Sequence, residues 1–215
     1  MKNVMRWMSA GTVVFCLALV SGCMSTSSYH TARPIEEGTT EMGMALEMGG
    51  AIGEDADSGV LITHPRVVAR RGLTENADLG FSGGNYSTGV DFNYMLVDAE
   101  PMTLSLNPSL TMTWEAYIGD RDGDDSSLIL MPLLGLLVDI APDERFTFTG
   151  GIKPGIYYQS TRTGQFSETD TSWLFAFSVG ARIDLEAFFI FPEFNFIKVQ
   201  DEDDLFWTFG VAFGF

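Results

Sequence analysis

The chain has 215 residues, enough for one domain or two small ones. It carries 12 basic against 29 acidic side chains, a formal net charge of -17, yet only 19% of its residues are charged and 46% are apolar. The missing basic footprint argues against a nucleic-acid partner, the apolar content against a disordered acidic tail, and two cysteines against a disulfide scaffold.

Lys2 and Arg6 precede the apolar run from Ala10 to Val20. The run is too short to span a membrane and reads as an export signal. It ends Leu19-Val20-Ser21-Gly22-Cys23, which resembles the lipobox of bacterial lipoprotein signal peptides. The resemblance implies loss of residues 1–22, diacylation of the Cys23 thiol and acylation of the new amine. Met24 is unlike the Asp that commonly retains lipoproteins in the inner membrane. That implies an outer-membrane address, an N-terminus on the periplasmic side and handling by the lipoprotein-transport machinery. The alternative is an ordinary signal peptide with a chance cysteine. Residues 23–38 are polar, with Ser, Thr, Pro34 and Glu36-Glu37, and read as a lipidated flexible tether.

The remaining domain, 39–215, has no apolar stretch of spanning-helix length. Period two recurs instead. Met102, Leu104, Leu106, Pro108, Leu110, Met112 and Trp114 alternate with Thr103, Ser105, Asn107, Ser109, Thr111, Thr113 and Glu115. Trp173, Phe175, Phe177, Val179, Ala181 and Ile183 form another apolar face. Alternation this long matches strands crossing a bilayer at a tilt. Ten strands are predicted, at about 39–52, 60–70, 76–83, 86–97, 102–117, 127–138, 146–158, 172–184, 187–199 and 205–215. Eight remain if one hairpin lies outside the membrane. Sheet in lipid must close on itself, so the predicted fold is all-β, a small antiparallel transmembrane β-barrel. A soluble lipocalin-like barrel is the alternative.

An even strand number puts both termini at the periplasmic end. The outward connections are then 53–59, 84–85, 118–126, 159–171 and 200–204; the inward ones are 71–75, 98–101, 139–145 and 185–186. Acids crowd the outward set, and such a rim would attract divalent cations. Asp120, Asp122 and Asp124 supply oxygen ligands at short spacing, which makes a weak Ca2+ site or a plain acidic turn. The stretch departs from an EF-hand loop, with Asp125 where Gly belongs and Met131 where Glu belongs. No firm metal site and no cofactor beyond the covalent lipid are expected.

Predicted lumen groups are Glu41, Glu47, Asp78, Asp91, Glu115, Lys153, Arg182 and Asp184, with the face of Glu193 left open and Lys198 placed at the rim. Mixed charge in a narrow barrel makes a packed salt-bridge and hydrogen-bond network, or else a small polar channel. Leu128 to Val138 is apolar on both faces. It reads as internal packing, against a segment such as part of the tether; as a greasy lumen for an acyl chain; or as an irregular stretch around Pro132.

The last strand carries Trp207, Phe209, Val211, Phe213 and Phe215 on one face. It resembles the terminal strand of Gram-negative outer-membrane barrels, which implies recognition by the barrel-insertion machinery. Arg70 to Phe81 (RRGLTENADLGF) resembles a hairpin of poorly characterised bacterial outer-membrane barrels. Outer-membrane phospholipases and lipid A-modifying barrels share the architecture but need a histidine with a serine or acid. Here His30 falls in the tether and His64 could meet Ser82; no GxSxG or HExxH motif occurs. The expected role is structural or protein-interactive in the cell envelope, with outer-membrane lipids and another envelope protein as partners. A narrow channel or carrier of a small apolar or acyl ligand is the alternative, and a lipid-modifying enzyme stands third.

Overall fold

Alternating side chains give the chain ten antiparallel strands. They are β1 (Thr40–Ile52), β2 (Leu61–Thr74), β3 (Ala77–Gly84), β4 (Ser87–Ala99), β5 (Met102–Ala116), β6 (Ser126–Ile140), β7 (Phe146–Thr163), β8 (Phe166–Leu185), β9 (Phe188–Val199) and β10 (Leu205–Gly214). The structure, a computed structural model, describes residues 26–52, 61–84, 87–116, 126–163, 166–200 and 205–215. Each strand pairs with its sequence neighbours and β1 pairs with β10, so the sheet is a closed barrel. The seam runs from Gly43↔Gly214 to Ile52↔Leu205. Met42 and Phe215 extend it by exchanging both main-chain hydrogen bonds, at 3.1 and 2.9 Å. The ends of the barrel differ. The near end holds the start of β1, the end of β10 and the turn between β2 and β3; the far end is where β1 gives way to β2.

Burial is inverted relative to a soluble barrel. Phe148, Phe175, Phe177, Val179 and Phe188 point outward and stand open, whereas Asn93, Asn107, Asn195, Thr113 and Lys153 point inward and are fully buried. Apolar outside and polar inside is the pattern of a wall surrounded by lipid. It runs against the lipocalin-like alternative, which needs an apolar lumen.

β6 is a regular strand through Pro132, not an irregular stretch, and both of its faces find apolar surroundings. Outward, Leu134 and Leu136 join the belt. Inward, Ile129, Met131 and Leu133 pack with Tyr157, Leu174, Ala176, Ile197, Val199 and Phe206. This cluster closes the far half of the lumen, and its buried members are at most 7% exposed.

Two boundaries differ from the sequence reading. The β7–β8 hairpin stays paired out to Thr163↔Phe166, through a segment read as a loop. Its upper residues, Gln159 to Thr161 and Ser167 to Thr171, are polar on both faces. The apolar alternation ends where lipid ends, while hydrogen-bonded pairing continues beyond it. β2 likewise runs on to Thr74, which pairs with Ala77 across the tight turn to β3, and the incoming chain adds an isolated parallel bridge, Glu37↔Gly72. A Cβ at Gly72 would fall 2.1 Å from the Glu36 carbonyl oxygen, so only glycine admits that approach.

Phe177 faces outward at mid-height, paired with Ile152 and Phe196. Phe177→Arg is expected to cost about 2–4 kcal/mol if the residue lies near the bilayer midplane. Urea titration of the barrel reconstituted in lipid vesicles measures this; an unchanged midpoint would contradict a lipid-facing belt.

Candidate functional site

The near half of the lumen is filled by the chain itself. Residues 26–38, expected as a flexible tether, run up the barrel from the near mouth. Thr26, Ser27, Tyr29, His30, Thr31 and Ala32 are all buried there. The physical reason lies in the wall. Its inward side chains are polar or charged and need partners, and a segment rich in hydroxyls and free main-chain amides supplies them.

The wall grips the main chain of this segment. Glu193 accepts the N–H groups of Ser28 and Tyr29 at 3.3 and 2.8 Å. Asp139 accepts that of Arg33 at 2.9 Å, and Asp78 that of Ile35 at 3.0 Å. Asn93 donates to the Ala32 carbonyl at 3.0 Å, and the Lys153 ammonium to the Thr26 carbonyl at 2.8 Å. Side chains add to this. Lys153 also donates to Ser28 Oγ at 2.6 Å, and Ser27 Oγ donates to Glu47 at 2.6 Å while accepting from Asn195 at 2.9 Å. Tyr29 sits at φ 50°, a left-handed conformation uncommon outside glycine, which kinks the segment. Its ring packs with Ala45, Phe189, Phe191 and Ala212. A Cβ at Gly210 would stand 1.9 Å from its hydroxyl oxygen, so the missing side chain makes the seat.

Around the segment the wall pairs its own charges. Arg66 donates to Glu47 at 3.2 Å and to Ser82 Oγ at 2.7 Å. Arg70 bonds both Asp78 and Asp91, and Asn107 donates to Asp91 at 3.0 Å. His30 Nδ1 donates to the Thr31 carbonyl at 2.7 Å, and its Nε2 lies 3.4 Å from Asp91. At the near mouth Arg182 makes a fork to Glu41 at 2.8 and 2.9 Å and also binds Asp184 at 2.9 Å. Arg33 there reaches Asp98 at 2.6 Å. The mouth opens into a recess of ≈ 720 Å³ lined by carboxylates including Glu36, Glu100, Asp143 and Glu144.

Seven of the predicted lumen residues therefore line the interior: Glu47, Asp78, Asp91 and Lys153 at depth, Glu41, Arg182 and Asp184 at the mouth. The Glu115 side chain, Cys23, and Asp120, Asp122 and Asp124 lie outside the described residues. Glu193, whose face was left open, is inward. Trp207, Phe209, Val211 and Phe213 share the outward face of β10, ending at Phe215. Sequence reasoning missed Arg66 and Arg70 as lumen cations, although the alternation Arg66, Val68, Arg70 carried the signal. It also missed Asp139 and Asn195, whereas Asn93 and Asn107 lie inward as their place on the polar faces of β4 and β5 implies. The catalytic pairing weighed for Ser82 meets a hydroxyl already held by Arg66, and the His64 side chain lies outside the described residues.

No protein-family model matches this chain, and no curated protein sequence does. Among solved structures, it is similar to the outer membrane protease OmpT of Escherichia coli, with a TM-score of 0.51 at 9% identity over 81% of this chain and 93% of that one. It is also similar to Ail, the attachment invasion locus protein of Yersinia pestis, with a TM-score of 0.49 at 12% identity over 83% and 98%. At such identities the likeness is one of fold.

Arg70→Met would leave Asp78 and Asp91 buried without their guanidinium. The expected loss is about 3–5 kcal/mol, the cost typical of breaking a buried pair on one side. Denaturant unfolding of the folded barrel reads this out. A change below 1 kcal/mol, roughly the worth of an exposed pair, would mean that water reaches the site.

Proposed function

We propose that this chain is a sealed outer-membrane β-barrel with a structural or protein-interaction role in the envelope of a Gram-negative-type bacterium. One observation carries the reading: the lumen is stopped twice. The N-terminal segment fills the near half, and an apolar cluster closes the far half. A narrow channel needs a continuous polar path, and a carrier needs an apolar void in the far half. The packing there favours neither. The outward apolar belt, the aromatic end of β10 and the fold likeness to OmpT support the membrane assignment. Recognition of Trp207, Phe209, Val211, Phe213 and Phe215 by the insertion machinery, and a weak Ca2+ site at Asp120, Asp122 and Asp124, belong to the same proposal.

Lipidation of Cys23 is part of it too, and geometry sets a condition. Three residue steps lead from Cys23 to Thr26, a reach of about 11 Å at most between their Cα atoms. Thr26 is held by Lys153, seven positions from the start of β7 at the near end. With about 3.3 Å per residue and a tilt near 40°, the near mouth is roughly 18 Å away. Held this deep, Thr26 leaves a lipid on Cys23 little slack to reach the surrounding leaflet, so anchoring competes with plugging. Anchored and plugged are two forms of one chain.

Three measurements test this. The plugged protein in planar bilayers is expected to give no stable conductance steps; regular steps would overturn the sealed reading. Cys23→Ser is expected to remain extractable only with detergent, and release into buffer would sink the spanning barrel. With Thr31→Cys as a reporter, molecules whose N-terminal peptide carries acyl mass should react with maleimide at position 31, while unacylated ones resist. Equal reactivity would refute the two-form picture.

A further inference from the structure

The geometry points to a binding site in the near half of the lumen, and we propose that it takes an extended peptide, with the N-terminal segment as its displaceable occupant. The ligand class is a peptide with an aromatic residue and, four positions on, an arginine. This goes beyond the sealing role above and rests on the contacts of the plug, whatever membrane holds the barrel.

Three observations carry it. First, the barrel is complete without the segment. All ten strands close on one another, and the main-chain hydrogen bonds that tie the incoming chain to β2 involve Gly38 and Thr39 with Gly72. Residues 26–35 are held by wall side chains and can leave without breaking the ladder. Second, the wall reads main-chain atoms. Glu193, Asp139 and Asp78 accept N–H groups, while Asn93 and Lys153 donate to carbonyls. Main-chain readout tolerates many sequences, as it does wherever an extended peptide is bound through its backbone. Third, one side chain has a buried seat and a second has an exposed ion-pair partner. Tyr29 occupies the hollow over Gly210, and Arg33 meets Asp98 at 2.6 Å in a mouth lined by carboxylates. That mouth would also draw in a basic peptide. The resident segment has the advantage of its covalent link, which sets a high effective concentration and keeps free peptides out until it is weakened or withdrawn.

The test uses the full mature chain in detergent, with Cys23→Ser and Thr31→Cys as reporter, and a fluorescein-labelled peptide of residues 26–36 as probe. In this parent, position 31 should resist maleimide and the probe should bind weakly. Tyr29→Ala with Arg33→Ala weakens the resident segment but leaves the wall intact. Position 31 should then label, and the probe should bind at least tenfold more tightly. Gly210→Val added to that chain should abolish binding, as should Tyr→Ala in the probe. A doubly substituted chain that keeps position 31 protected would show a permanent core element and overturn the proposal. So would a folded chain with position 31 exposed that ignores the probe, or one that loses its barrel form by circular dichroism.

Discussion

A closed barrel in lipid has its polar surface on the inside, and that surface must be satisfied without bulk water. The other features of this molecule depend on that constraint. Apolar side chains take the outward positions, so asparagines, hydroxyls and charges are left facing a lumen too narrow for free hydration. Wall-to-wall bonds satisfy some of them, as in Glu47 with Arg66 and Arg70 with Asp78 and Asp91. Glu193, Asp139 and Lys153 are satisfied largely by the inserted segment. The segment and the wall solve one problem together, since an extended chain brings its own unpaired amides and carbonyls and cannot be buried without such a wall.

The far half meets the same constraint differently. There β6 turns Ile129, Met131 and Leu133 inward, and β7, β8 and β9 answer with Tyr157, Leu174, Ala176, Ile197 and Val199. Apolar residues need no partners and close the space by contact alone. The barrel thus holds a polar layer that is bonded and an apolar layer that is packed. Only the polar layer can exchange its occupant, because its contacts are directional and could be remade by another chain.

Much of the fold was legible because a strand has period two and a lipid boundary makes the period visible. All ten strands coincide with the predicted ones to within a few residues at most ends. The larger errors share a cause. Above the belt, Gln159 to Thr161 and Ser167 to Thr171 meet solvent on both faces, and alternation disappears while pairing persists. Leu73 and Thr74 belong to β2 because the β2–β3 hairpin stays paired to Thr74↔Ala77, through residues read as the turn. Arg66 and Arg70 sit on the inward parity of β2 and pair with carboxylates from β1, β3 and β4, which only the closed sheet brings together.

By itself the sequence determined the all-β barrel class, the places of the strands, which side chains face outward, and most of the charged groups that face inward. These follow from parity along single strands. Closure of the sheet decided ten strands over eight. The tertiary structure alone decided what fills the lumen. Ser27 to Arg33 has the hydroxyl-rich composition of a solvated linker, and the same hydroxyls and amides serve equally well inside a polar cavity. Which fate they meet depends on whether Glu193, Asp139, Asn93 and Lys153, far apart in the chain, come to face one space. That convergence is a property of the closed sheet and is written in no single segment.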